Sequence, residues 1–309
     1  MPFADFMDLA LYDSGCGYYT APRERVGRGR ETDFYTAASM ETVFGPLVAA
    51  ATRQLLGGAQ RAKEHHFVEI GAEPRQTALA GATGDFLRAH ALRLSDPIEI
   101  PARSVVFSNE LFDAQPFHRV VWRDGRWREL GVELCDEALN WCELEDFSRE
   151  VEMHASRLPR ESSEGYTIDL PLRSVQLLER IVAPPWRGMF LAFDYGRTWS
   201  ELCSGYPRGT GRSYSAHRQA DDLLANPGRQ DLTCHVCWDW LADALRAAGF
   251  TDIQRESQEA FFMHHAAEEM ERIVRADRNP LSRARTQLKH LLHPGIMGQK
   301  FEVLRSTRR

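Results

Sequence analysis

The chain has 309 residues, 43% hydrophobic and 27% charged, with a formal charge of −6. That length buries a large core without disulfide or metal staples, and fits one large domain or two unequal ones. The charge has the wrong sign for a dedicated nucleic-acid binder, and no apolar run nears the ~18 residues of a membrane span.

In chain order, Asp5, Asp8 and Asp13 precede the first basic residue, Arg23. A signal or transit peptide would not start on acids, so the expected compartment is the cytoplasm. The glycine-aromatic stretch Tyr12, Gly15, Gly17, Tyr18, Tyr19 reads as an arm packed on a core. From Ser39 to Leu56 the apolar spacing predicts a helix, ended by Gly57 and Gly58. Phe67–Ile70, Ser104–Ser108 and Met189–Phe193 are short apolar runs leading into polar residues, the pattern of buried parallel strands. Asp124-Gly125 between Phe117–Trp122 and Arg126–Leu134 signals a hairpin, which Leu139–Leu144 extends. Residues 145–183 look mainly helical, with Gly165–Leu170 extended, and 196–232 reads as a long irregular connection. Trp238–Ala248 is an amphipathic helix stopped by Gly249 and followed by a strand at Phe250–Ile253. Helices are expected over 259–276 and 281–292, and a last strand over Lys300–Arg305. Residues 271–309 hold ten Lys or Arg against three acids, expected as solvated arginines, with an acidic partner or the chain itself as alternatives.

The expected fold is α/β. Residues 61–116 and 186–309 form the core, 1–60 an N-terminal arm and helix packed on it, and 117–185 an inserted subdomain. In open α/β sheets, ligands bind at the C-terminal strand ends. Glu69 and Gly71 leave the first strand as an acid and a glycine turn, a pattern that suits a nucleotide or S-adenosylmethionine site as well as a plain turn. Ser108, Asn109, Glu110 and Asp113 leave the second, where carboxylates can localise a cationic acceptor and take its proton, or cap a turn. Asp194-Tyr195-Gly196 leaves the third, followed by Gly209-Thr210, Tyr214 and His217, and then Asn226-Pro227-Gly228 and Asp231–Val236. Six cysteines read as reduced thiols. Cys234-x-x-Cys237 lacks a convincing second pair, and the adjacent pairs His65-His66 and His264-His265 face apart, so no metal site is expected.

Taken together, these segments resemble the MidA-like family of S-adenosylmethionine-dependent methyltransferases, which includes mitochondrial complex I assembly arginine methyltransferases. The likeness runs through Phe3–Met7, Leu11–Asp13, Gly17–Tyr19, Asp33–Thr36, Phe44-Gly45 and Glu69–Gly71. It is strongest at Ser108–Pro116 and Asn226–Val236, and ends with Leu292–Gly295 and Gly298–Phe301. The resemblance implies a class I, Rossmann-like methyltransferase core, S-adenosyl-L-methionine as cofactor and a protein substrate methylated on arginine. It carries cofactor contacts to Glu69, Gly71, Asn109, Asp33 and Thr36, and the catalytic candidates are Glu110, Asp113 and His235. The family's glycine-rich turn departs here, reading Gly71-Ala72-Glu73-Pro74-Arg75. With 36 residues between Gly71 and Ser108, the cofactor-side crossover is truncated and no ribose-binding acid is assigned. Two other readings stay open: a non-catalytic relative that binds a protein partner, and a nicotinamide oxidoreductase, which the missing G-x-G-x-x-G disfavours. The oligomeric state is open, a homodimer among the alternatives.

Overall fold

The computed structural model describes residues 1–21, 37, 40, 42–72, 77–78, 83–93, 95–215, 218–276 and 279–309. The chain begins with helices α1 (Phe3–Tyr12), α2 (Phe44–Leu55) and α3 (Ala59–Ala62), then strands β1 (His66–Ile70), β2 (Arg88–Leu92) and β3 (Arg103–Asn109). Next come β4 (His118–Arg123), β5 (Arg126–Cys135), β6 (Ala138–Glu143), α4 (Arg149–Glu152), β7 (Thr167–Leu170), α5 (Leu172–Val182) and β8 (Arg187–Asp194). The stretch expected to be irregular holds β9 (Gly196–Arg197), α6 (Trp199–Ser204), β10 (Arg212–Ser215), β11 (Arg218–Ala220) and β12 (Asp231–Thr233). Last are β13 (Val236–Cys237), α7 (Trp238–Ala247), β14 (Thr251–Ser257), α8 (Gln258–His265), α9 (Ala267–Ala276), α10 (Arg283–Leu292) and β15 (Glu302–Arg308).

One compact unit comprises Thr36–Leu111, Leu178–Tyr195 and Ala242–Arg309. Its sheet has the order β14-β15-β8-β3-β1-β2. The strands β2, β1, β3 and β8 run parallel, and β15 is antiparallel to β8 and to β14. The central strands are apolar because both faces are covered. Phe67, Phe107 and Phe193 step diagonally across β1, β3 and β8, with ring centroids 5.6 and 5.8 Å apart. Phe44 of α2 and Phe262 of α8 close on Phe193 at 5.4 and 5.6 Å. Offset and edge-on aromatic contacts of this kind add stability beyond their buried area.

The helix expected from Ser39 starts at Phe44. The span expected as one helix over 259–276 is two, because Ala266 leaves the helical region at φ −133°. Between β1 and β2, the described residues include one 3-10 turn, Thr83–Asp85, and β2 itself is the second strand of the shortened crossover. The basic C-terminal region is not simply solvated. Arg308 donates from Nε to Trp186 O at 2.7 Å, from Nη1 to Val182 O at 2.8 Å and Ala248 O at 3.3 Å, and from Nη2 to Pro184 O. Its guanidinium also lies over the Trp186 and Phe250 rings, 5.1 and 4.6 Å from their centroids.

The other unit comprises Met1–Tyr35, Phe112–Leu177 and Gly196–Leu241. It differs from the segmentation expected at 60/61, 116/117 and 185/186, because the arm and residues 196–241 belong with the insertion. The Met1 ammonium donates to Val132 O at 2.9 Å, and Phe3 packs on Phe117 and Trp141 at 5.1 and 4.9 Å. The unit has an antiparallel sheet β6-β5-β4-β7, a sheet β11-β10-β12 and the parallel pair β13-β9. Asp124 and Gly125 both have positive φ, +50° and +73°, the twist that a two-residue hairpin turn needs. Where mainly helix was expected over 145–183, α4 is a single turn and α5 the longer helix, while β7 falls on the Gly165–Leu170 stretch expected to be extended.

Two buried ionic clusters hold this unit. Asp169 accepts from Arg119 Nε at 2.7 Å and from the N–H groups of Thr210 and Gly211 at 2.5 and 2.7 Å, which pins the loop before β10. His118 lies between Glu129, 2.7 Å from Nδ1, and Glu150, 3.0 Å from Nε2.

Candidate active site

The order β2-β1-β3-β8 places the topological switch point between β1 and β3, since the chain leaves β1 for one side and later returns on the other. A ligand crevice is expected outside the C-terminal ends of those two strands. Glu69 and Gly71 stand at the first end and Ser108, Asn109 and Glu110 at the second.

Glu69 is 6% exposed, and its two carboxylate oxygens accept the same Ala78 N–H at 3.0 and 2.8 Å. Burial pushes its carboxyl up to about 7, only partly offset by that hydrogen bond. Gly71 has φ +79°, and a Cβ there would fall 2.7 Å from Leu111 Cδ1. Glycine therefore satisfies both the left-handed turn and the close approach.

Glu110 also sits in the left-handed region, at φ +51°, while its N–H donates to Phe193 O at 2.9 Å. Its Oε1 accepts from Asn109 Nδ2 at 2.9 Å and from Ala37 N at 3.2 Å. That carboxylate orients Asn109. Among the described residues, the buried atoms Asn109 Oδ1 and Ser108 Oγ have no hydrogen-bond partner. Two orphaned polar atoms and a desolvated carboxylate at one switch point suit a polar, cationic ligand.

In the other unit, Asp113 and Asp231 are 3% and 5% exposed. Tyr19 OH donates to Asp231 Oδ1 at 2.9 Å, and Tyr12 OH to Ala114 O at 2.9 Å. The Tyr12 and Tyr19 rings stack at 5.4 Å with an interplanar angle of 15°. Burial first, then the charges of Asp231 and Asp113, raise both phenols well above their ordinary value. Two carboxylates beside a tyrosine stack make an anionic, aromatic-walled environment. Sequence reading named Asp113 but neither Tyr12 nor Tyr19 for the site, and it did not link Asp231 to them. The aromatic-glycine arm was the available signal.

His235 lies in the same unit, edge-on to Tyr206 at 5.4 Å, with its backbone N–H donating to Thr210 Oγ1 at 3.2 Å. Burial, then the cations Arg197 and Arg212, pull its imidazole down to about 4. It is neutral at neutral pH. The backbone carbonyl of Asp113 accepts from the N–H of the neighbouring Cys234 at 3.0 Å. Cys237 is buried, which pushes its thiol up to about 12. Asp33, Thr36, His217, Glu73 and Arg75 lie outside the described residues.

Residues 49–255 match the model of a family described as "Putative S-adenosyl-L-methionine-dependent methyltransferase". The chain belongs to this family. It is an S-adenosylmethionine-dependent methyltransferase, and the non-catalytic and nicotinamide readings are set aside. The chain is 24% identical to the protein arginine methyltransferase NDUFAF7 homolog, mitochondrial, of Drosophila melanogaster, over 98% of this chain and 80% of that one. It is also 24% identical to the Danio rerio NDUFAF7 protein, over 64% of this chain and 46% of that one. The fold matches a Burkholderia thailandensis crystal structure bound to S-adenosyl-homocysteine, with TM-score 0.85 and 24% identity over all of this chain and 88% of that one. A native structure from the same organism matches with TM-score 0.81 over all of this chain and 87% of that one. The class I, Rossmann-like methyltransferase fold expected from the sequence is thus present. No helix among the described residues is long and apolar enough to cross a membrane.

Proposed function

We propose that this methyltransferase acts on arginine side chains of a protein substrate. The observation that carries the reading is the pair of buried carboxylates, Asp113 and Asp231, beside the stacked rings of Tyr12 and Tyr19. A guanidinium is a planar cation that pairs with carboxylates and stacks on aromatic faces. The Drosophila relative is named as a protein arginine methyltransferase, which supports the same class.

The bound cofactor supplies an electrophilic methyl group. Glu69, Asn109 and the backbone at Gly71 would hold it, with Asp33 and Thr36 assigned by the family likeness. Asp96, just past β2, whose carboxylate accepts from Arg93 N at 2.8 Å, would meet the ribose hydroxyls. Glu110 acts by positioning Asn109. A guanidinium must shed a proton before its nitrogen can attack, and the Asp113 carboxylate takes it. Asp231, fixed by Tyr19, would pair with the guanidinium before that step and with the methylated guanidinium after it. His235, being neutral, offers an acceptor for a substrate N–H.

The cytoplasmic compartment belongs to this proposal. Six free cysteines fit a reducing environment. The decisive experiment offers the protein labelled cofactor and matched arginine and lysine peptides. Methyl transfer to arginine alone is expected, abolished by Asp113→Asn with cofactor affinity nearly unchanged. Transfer to lysine alone, or loss of both activities together in that variant, rejects the substrate assignment.

A further inference from the structure

We propose that Glu256, His264 and His265 form a binding site for a transition-metal ion of the zinc type, separate from the methyl-transfer machinery. Glu256 lies near the end of β14, and the two histidines close α8, which Ser257 caps. Glu256 Oε2 is 2.8 Å from His264 Nδ1, and Glu256 Oε1 is 3.3 Å from His265 Nε2. All three ligand atoms fall within 4.8 Å of one another.

The sequence expectation was that adjacent histidines face apart. They converge here because they use different ring nitrogens. His264 reaches with the near nitrogen, Nδ1, and His265 with the far one, Nε2. One carboxylate meets both.

Two imidazoles and one carboxylate are a zinc donor set that leaves a fourth position to water. Bonds of about 2.1 Å at tetrahedral angles separate ligand atoms by about 3.4 Å, against 2.8 and 3.3 Å from the two imidazoles to the two Glu256 oxygens and at most 4.8 Å across the set. Imidazole donors also favour Zn²⁺, Cu²⁺ or Ni²⁺ over Mg²⁺, which prefers all-oxygen shells. His264 is 64% exposed and gives an ion access, while His265 and Glu256, at 16% and 18%, are held in place.

One group opposes the ion. Arg305 Nε lies 3.7 Å from Glu256 Oε1, although Asp252 takes part of its charge through Nη1 at 3.2 Å. Removing that cation should therefore strengthen metal binding, a response that a stray surface histidine would not give.

The test is calorimetric titration of the chelator-stripped full chain with ZnCl₂ and with MgCl₂. One equivalent of Zn²⁺ and no Mg²⁺ should bind. His265→Ala and Glu256→Gln should each weaken Zn²⁺ at least ~10-fold, the low end of what even an outer-shell change costs a metal site. Arg305→Gln should tighten it, and His290→Ala, outside the cluster, should leave it unchanged. Cobalt substitution of the unaltered protein should give the intense visible band of a tetrahedral site, which keeps the test valid if a variant misfolds. Absence of saturable uptake, uptake indifferent to the first two variants, or a weak octahedral cobalt spectrum overturns the proposal.

Discussion

Glu69 receives the Ala78 N–H on both carboxylate oxygens and still titrates near neutrality, because burial outweighs the bond. An unfolded glutamate titrates near ~4.3. Between that value and about 7 the folded chain keeps a proton that the unfolded chain has lost. Stability therefore falls as pH rises across this window and levels off above it, by on the order of 3 kcal/mol. Glu69→Gln should flatten the slope between pH 4.5 and 7 in urea unfolding and weaken cofactor binding above pH 7. An unchanged slope would mean the carboxylate is ionised throughout.

Gly71→Ala should destabilise the protein by ~1–2 kcal/mol through its positive φ alone. The added methyl also meets Leu111, so cofactor affinity should fall as well. Pairing it with Leu111→Ala should recover part of the affinity and none of the backbone cost. Calorimetry and thermal unfolding on the same samples separate the two effects.

The three-part cluster at His118 gives a pH signature of its own. Burial opposes the imidazolium, but the hydrogen bonds and charges of Glu129 and Glu150 outweigh it and raise the His118 pKa. Its contribution is present below ~6.5 and lost as pH rises through the raised folded value. The hydrogen bond to His118 brings Glu150 down to about 2, so that share is present above ~4.3 and lost toward pH 2. The two reinforce each other from ~4.3 to ~6.5. His118→Gln takes the imidazolium from the buried Glu129, which keeps the Ser148 N–H and hydroxyl, and should cost ~2–3 kcal/mol in that window, less at pH 9, as read by denaturant midpoints.

Much of the sheet was legible in the sequence and much of the site was not, for one physical reason. Strands such as Phe67–Ile70 and Met189–Phe193 are covered on both faces and so read as continuous apolar runs. The edge strand β2, with Arg88 and His90, lacks that pattern, and it went unseen within a span that looked too short. Polar groups at strand ends, Glu69 and Asn109 among them, could be named because local order places them. Tyr19 and Asp231 are 212 residues apart, and Glu256 meets two histidines that local geometry alone points away from it. Only the tertiary fold creates those encounters.

Arg308→Lys should be far from conservative. A lysine offers a point charge where the guanidinium fork spans several carbonyls and two rings. A loss of ~1–3 kcal/mol in thermal unfolding is expected, with Arg309→Lys near zero as the comparison.

Strand β15 follows every other strand in chain order, yet it fills an interior place between β8 and β14. On the ribosome, β8 and β14 would emerge first and wait with a gap between them. A message cut short before Glu302 would leave a sheet missing an inner rung rather than a trimmed edge. Such a product should be recognised by cellular quality control instead of persisting as a weakened enzyme.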